Sequence, residues 1–344
     1  MSFTERLQRL QLGVSSSEVL LIADPDHIRY FTGFVTLTPE REAFLIITKK
    51  TALLCHGAFS PVTSQKNLAH HPSISPSVMT AKLRELTEAE GLKTLALDKE
   101  AIFVSEYELF NALSLEIKTL NTGRLWQLRM IKDAEEQKAI KKAISITERG
   151  LKQTIGKLAV GMTELEVEKL LEQTFRDLGS EELAFPTIVA FANHSALPHH
   201  QPTDRKLTDN TAVLIDCGTR FDGYCSDLTR TVWFGDKPDD KFLEIEKIVK
   251  ATFSVATSVL EKPDCTAQQL DEAARNSISL AGFGKEFIHT TGHGLGLSIH
   301  EPPSLNANNA QKILAGMAIT IEPGIYLAGK FGYRYEETRV VNDC

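Results

Sequence analysis

The stretch LIDCGTRFDGYCSDLTRT, Leu214–Thr231, decides the fold. One run containing Asp216 and another containing Asp227 flank Phe221-Asp222-Gly223, a turn signature, so the stretch reads as a β-hairpin. With Phe221-Asp222 as the turn, Asp216 and Asp227 stand directly opposite. With Asp222-Gly223 as the turn, Asp216 faces Thr229 and Asp227 lies on a diagonal. Side chains alternate along a strand, so either register puts both carboxylates on one face. Facing like charges destabilise a sheet, and a bridging cation removes that objection.

A second hairpin repeats the arrangement. MAITIEPGIYLA and FGYRYEETRVV flank Gly329, and a loop centred there sets Glu322 opposite Glu336. A lone acid in a strand is ordinarily solvated or salt-bridged. These acids instead sit inside apolar or aromatic runs, AVLIDCG, ITIEPGIY and YRYEE, where an unpaired charge is costly. Six of the ten histidines lie between residues 194 and 300, and HTTGHGLGLSIHE spaces His289, His293 and His300 by four and seven. Glycine lets backbone crowd a metal or substrate, and neutral imidazole suits ligation and proton transfer. Two acid pairs and a histidine make a hard N/O shell for two divalent ions, of the kind manganese, cobalt or zinc accept. His27, His56, His70 and His71 read as packing or surface residues.

Other chemistries fail on their spacing. GHGLG lacks the third glycine of a dinucleotide fingerprint because position 297 is Leu. His300-Glu301 is followed by Ser304, so no H-E-x-x-H helix forms. Neither a G-x-S-x-G elbow nor a phosphate-binding loop is present. Alternation puts Cys217 and Cys225 on opposite faces, as small buried residues rather than ligands.

The whole chain of 344 residues is 42% hydrophobic and 24% charged, an ordinary globular composition at a length that favours two domains. Lys plus Arg gives 38 against 45 Asp plus Glu, a net charge of −7 that argues against nucleic acid as a partner. Aliphatic runs such as Val19–Ala23 are too short for a membrane. Glu5, Arg6 and Arg9 interrupt any secretory signal, and five scattered cysteines fit a reducing cytoplasm. Glu18–Ala23, Ala43–Thr48, Thr51–Cys55 and Thr94–Asp98 read as strands. Thr80–Gly91 and Ser105–Ser114 read as helices, which together make a small α/β unit. The turn cluster Asn121-Thr122-Gly123 ends it, giving domains 1–123 and 124–344. The second domain pairs hairpins with helices that open on capping boxes at Asp133, Thr163 and Thr266 and with a helix from Asp240 to Leu260, an α+β pattern.

These residues resemble the dinuclear metallopeptidases of the pita-bread fold, in the branch of Xaa-Pro aminopeptidases and Xaa-Pro dipeptidases (prolidases). DPDHIRYFTGF is similar to the family's N-terminal, creatinase-like domain. LIDCGTRFDGYCSDLTRT, HTTGHGLGLSIHE, TIEPGIY and GYRYEET are similar to its four site motifs. The resemblance implies an α/β N-terminal domain and an α+β pita-bread domain whose curved antiparallel sheet is flanked by helices. It implies that Asp216 chelates one of two divalent ions, most simply manganese, with Asp227 and Glu336 bridging the pair. It further implies that His293 and Glu322 complete the ligand set of the second ion. By the same resemblance His199 is a substrate-side histidine, His300 steadies the tetrahedral intermediate, and His289 and Arg334 line the substrate pocket. Hydrolysis of a bond between an N-terminal residue and proline is then expected, by attack of a metal-bridging hydroxide with Glu322 accepting the proton. Short proline-containing peptides are the expected partners, and a cytoplasmic homodimer the expected assembly. A strict dipeptidase is the alternative, and a peptide-binding scaffold the non-enzymatic one. Two departures stand out. Relatives run somewhat past Glu336 where this chain has eight more residues, so an exposed or partner-protected last strand is expected. Ser304 stands where some prolidases carry an arginine for the substrate's carboxylate.

Overall fold

A computed structural model describes residues 1–36, 40–62 and 65–342. The chain divides into two compact units, Met1–Arg129 and Met130–Cys344. The first contains α1 (Phe3–Gln11), β1 (Glu18–Ile22), α2 (Pro25–Thr32), β2 (Ala43–Ile47), β3 (Ala52–His56) and β4 (Ala69–His71). It continues with α3 (Pro76–Glu90), β5 (Thr94–Leu97), α4 (Val104–Asn111) and β6 (Glu116–Thr119). Thr122 and Gly123 of the Asn121-Thr122-Gly123 cluster begin a further helix, α5 (Thr122–Met130).

The six strands form one mixed sheet in the order β4-β3-β2-β1-β5-β6. β2, AFLII, is buried at every position, which is why it reads as an unbroken apolar run rather than an alternating one. Met79 and Leu83 of α3 and Phe110 of α4 pack on Val19, Leu21, Phe44 and Ile46 of the sheet. DPDHIRYFTGF forms α2: the Asp24 carboxylate caps it, Pro25 occupies its first turn, and Gly33 ends it at φ +70°.

The second unit opens with α6 (Ala134–Ile155) and α7 (Glu164–Asp177). Strands β7 (Glu182–Leu183), β8 (Ile188–Phe191), β9 (Thr211–Cys217), β10 (Thr219–Phe221), β11 (Tyr224–Cys225) and β12 (Leu228–Phe234) follow. Then come α8 (Asp240–Leu260), α9 (Ala267–Leu280), β13 (Gly292–Gly294), β14 (Glu301–Leu305), β15 (Ala318–Ile321), β16 (Gly324–Leu327), β17 (Phe331–Arg334) and β18 (Glu337–Val340). The capping boxes at Asp133, Thr163 and Thr266 all form, each cap contributing about 1 kcal/mol.

The strands pair as β11-β10-β7, β12-β9-β8, β14-β13-β15-β18 and β16-β17, every pairing antiparallel. Ile146, Val167, Leu171 and Phe175 of α6 and α7 cover Val213, Ile215 and Cys217 of β9. Phe242, Ile245 and Val249 of α8 and Ile278 of α9 cover Ile321, Ile325 and Phe331. With Ile215 and Cys217 facing helices, alternation sends Asp216 to the opposite side.

Of the two registers open for the first hairpin, the one that forms pairs Asp216 with Thr229 and closes on Asp222-Gly223. Those turn residues have φ +50° and +79°, the two positive values that a tight two-residue hairpin turn needs. In the second hairpin Ile321 pairs with Glu337 and Gly324 with Arg334, one continuous register that keeps Glu322 and Glu336 at facing positions.

Three apparently continuous runs are interrupted, each at an acid: at Ser226-Asp227, at Glu322-Pro323 and at Tyr335-Glu336. Pro323 lacks an N–H and cannot extend the ladder. The acids' own N–H groups pair elsewhere: Glu322 with Thr291 O (2.9 Å), Glu336 with Thr229 O (3.2 Å) and Asp227 with Thr338 Oγ1 (3.0 Å). Each acid therefore sits where a strand exchanges one partner for another, and those exchanges tie the hairpins together.

Candidate metal centre

All nine residues singled out from the sequence line one cavity of about 970 Å³ in the second unit: His199, Asp216, Asp227, His289, His293, His300, Glu322, Arg334 and Glu336. Asp227 and Glu336 are buried, and each offers an oxygen that lies within 4.8 Å of the other and of a ring nitrogen of His293. His293 Nε2 stands 3.5 Å from Asp227 Oδ2 and 3.6 Å from Glu322 Oε1.

The imidazole is prepared for ligation. Its Nδ1 donates to Gly294 O at 3.0 Å, which leaves the Nε2 lone pair facing the acids. The backbone around it tolerates no side chain: a Cβ on Gly292 would lie 2.1 Å from Thr320 O, and one on Gly294 2.4 Å from Pro302 O. That close approach explains the glycines of the GHG run.

Arg334 is the counter-charge. It is buried, with Nη2 2.6 Å from Asp216 Oδ2. Its Nε donates to Thr229 Oγ1 at 3.0 Å, and that hydroxyl donates to Glu336 Oε2 at 2.6 Å. Its Nη1 donates to Tyr326 OH at 2.7 Å, which passes a hydrogen bond to His289 Nε2 at 2.8 Å. His289 Nδ1 in turn donates to Thr290 O at 2.8 Å. Tyr326 and Thr229 stand in the quoted motifs, yet nothing in their spacing marks them, because their role appears only when two hairpins meet.

One guanidinium does not balance four carboxylates. Two like charges 4.8 Å apart repel by about 3.5 kcal/mol at an effective dielectric near 20. Burial, then the charges of Asp216 and Glu322, push the Asp227 carboxyl well above its ordinary range. Burial, then Asp227 and Glu322, do the same to Glu336. Burial also raises Glu322, against the pull of His293 and Arg334.

The donor set fits a cation on a further observation. Asp216 Oδ1, Asp227 Oδ1 and Glu336 Oε1 are all buried, and none has a hydrogen-bond partner. Three orphaned carboxylate oxygens beside an oriented imidazole are what divalent ions would satisfy. Buried Lys132 and Glu301 close another wall of the second unit through a 3.1 Å ion pair, an element the sequence reading did not identify. The described cysteines, Cys55, Cys217, Cys225 and Cys265, are buried and none belongs to the donor set, and Cys344 lies outside the described residues.

Residues 138–343 match the metallopeptidase family M24, and residues 6–131 match the Creatinase/Prolidase N-terminal domain. The chain belongs to that metal-dependent peptidase family, a class of hydrolases. It is 35% identical over 345 residues to an uncharacterized peptidase of Staphylococcus aureus strain USA300, covering 97% of this chain and 94% of the relative. The X-Pro aminopeptidase of Thermotoga maritima MSB8 superposes with a TM-score of 0.83 at 31% identity, covering 98% of this chain and 95% of that one. The Xaa-Pro dipeptidase of Bacillus anthracis superposes with a TM-score of 0.87 at 28% identity, covering 100% and 98%. The pita-bread architecture and creatinase-like N-terminal unit expected from the sequence are the ones these relatives share.

Proposed function

We propose that this chain is an Xaa-Pro aminopeptidase that removes an N-terminal residue preceding proline. In this reading Asp216, Asp227, His293, Glu322 and Glu336 hold two divalent cations, manganese foremost. Bound there, such ions supply Lewis-acid polarisation of a carbonyl and a lowered pKa for water. The remaining work falls to the protein. Glu322, its carboxyl raised by burial, accepts the proton released as the scissile carbonyl is attacked. His300 is kept neutral by burial and by His293 and His199, so it can donate to the oxyanion that develops on that carbonyl. His289 is also neutral, its pKa lowered to about 4 by burial and by Arg334. It borders the pocket with both ring nitrogens already bonded, to Tyr326 and Thr290, while His199 orients the peptide. An Xaa-Pro bond is a tertiary amide without an N–H, and nothing in this scheme requires that donor.

The observation that carries the proposal is the convergence of five chemically suited side chains, with orphaned oxygens, in one cavity. The similarity to a Xaa-Pro dipeptidase favours a second reading, strict dipeptide cleavage. Against it, among the described residues the only Lys or Arg lining the cavity is Arg334, whose donors already go to Asp216, Thr229 and Tyr326. A dipeptide's carboxylate would find no free cation among the described residues. Turnover of Xaa-Pro-Xaa peptides by the manganese-loaded protein supports the aminopeptidase. Turnover of Xaa-Pro dipeptides alone selects the dipeptidase, and release of no amino acid from either selects a binding role.

A further inference from the structure

Glu164, at the first turn of α7, is completely buried. A carboxylate there complements the helix dipole. Its Oε1 accepts from Phe191 N (2.8 Å) and His194 Nδ1 (2.9 Å). Its Oε2 accepts from His200 Nε2 (2.9 Å), Thr203 N (3.0 Å) and Thr203 Oγ1 (2.7 Å). Five donors thus meet a carboxylate that offers about four lone-pair sites. Burial alone would raise this carboxyl, but the bonds from Thr203, His200, Phe191 and His194 hold it below its ordinary range. Glu164, His194 and His200 also lie close enough together for a cation. Both oxygens already accept from a backbone N–H, and the Thr203 hydroxyl takes a further site on Oε2, so the cluster reads as a hydrogen-bond hub.

All five donors belong to residues 191–203, the segment that carries His199 into the cavity. The His199 ring is exposed there and makes no hydrogen bond among the described residues, so its aim is set by the backbone on either side. On one side Gly332 N donates to Ser195 Oγ at 2.9 Å and Arg334 Nη1 reaches Pro198 O at 3.5 Å. On the other side the next residue, His200, is held by Glu164, and Thr203 is held twice. The hub thus grips the chain on both sides of His199, at Phe191 and His194 before it and at His200 and Thr203 after it.

We infer that Glu164 is a positioning residue that fixes His199 toward the substrate by gripping His200 and Thr203. The kinetic side of this inference rests on the proposed aminopeptidase activity, and its structural side does not. A double-mutant cycle on the full-length, manganese-loaded protein with an Xaa-Pro-Xaa peptide tests it. Glu164→Gln should lower kcat/KM about tenfold with His199 present and less than about twofold in the His199→Ala background, with bound metal unchanged. Equal losses in both backgrounds would overturn the inference. Thr203→Val, which withdraws one of the five bonds to Glu164 together with the bond the hydroxyl accepts from Arg205 N, should show the same non-additivity at smaller amplitude and decides the matter if Glu164→Gln does not fold. Independently of turnover, deuterium exchange of the 191–203 amides should rise in Glu164→Gln and in Thr203→Val while the α8–α9 amides stay protected. Unchanged exchange in 191–203 overturns the inference even where peptide cleavage is normal. A rise in exchange with no cleavage of any peptide by the wild type rejects the proposed activity and leaves the hub standing.

Discussion

Thr229 donates its hydroxyl to Glu336 Oε2 at 2.6 Å, across the junction of two hairpins. Thr229 Oγ1 itself accepts from Arg334 Nε at 3.0 Å, so one threonine couples the buried cation to a proposed bridging ligand. Thr229→Val keeps the volume and removes both bonds. Metal affinity should fall about 10- to 100-fold, as is common when a ligand loses its outer partner. Titration calorimetry of the metal-free protein measures it, with Thr229→Ser restoring affinity. An unaltered affinity in the valine variant would contradict this role.

Asp227→Asn should abolish peptide hydrolysis and tight metal binding while leaving the fold intact. It also removes a crowded like charge, so the metal-free variant should melt at or above the wild-type temperature, with a gain of about 1–3 kcal/mol. Metal analysis after gel filtration and a thermal melt test both halves. Two retained metals, or a metal-free protein that melts well below wild type, count against the assignment.

Gly292→Ala places a Cβ 2.1 Å from the Thr320 carbonyl, a backbone atom that cannot swing aside. The neighbouring His293 N donates to Thr320 Oγ1 at 3.0 Å, so a shift of this strand carries the His293 imidazole with it. A loss of about 1–3 kcal/mol is expected from overpacking, together with weaker metal binding. Denaturant unfolding reads the first and metal titration the second. A variant with wild-type values for both would show that the close approach is unimportant.

Glu164 gives a pH dependence with a definite sign. Its folded pKa lies below the ordinary 4.5, so the stability it contributes is complete above that value and is lost as pH falls through the folded pKa. Glu164→Gln should therefore cost about 1–3 kcal/mol at neutral pH. The gap from wild type should narrow below pH 4.5. Melting temperatures of both proteins from neutral to acid pH test this. A gap that widens in acid would reverse the sign and refute the account of the hub.

Much of this was legible in the sequence because period-two alternation and turn chemistry are local. Gly329 sets one register and Phe221-Asp222-Gly223 narrows the other to two, either of which puts Asp216 and Asp227 on one face. The capping boxes at Asp133, Thr163 and Thr266 are equally local. The breaks at Asp227, Glu322 and Glu336 were not legible, because a strand leaves its ladder only when another element offers a better partner. Thr291, Thr338 and the Thr229 carbonyl are such partners, each distant in the chain. Glu164 was invisible for the same reason: it reads as an ordinary first-turn acid until residues 191–203 fold over it. Local rules thus fail at the positions where the structure assembles its site.

The central claim is that Asp216, Asp227, His293, Glu322 and Glu336 together bind a pair of divalent ions. Anomalous diffraction from crystals grown with manganese addresses it most directly. The account predicts two peaks among these five side chains, both lost in Asp227→Asn. A clean map with no peak between them, or manganese bound only elsewhere, would contradict it.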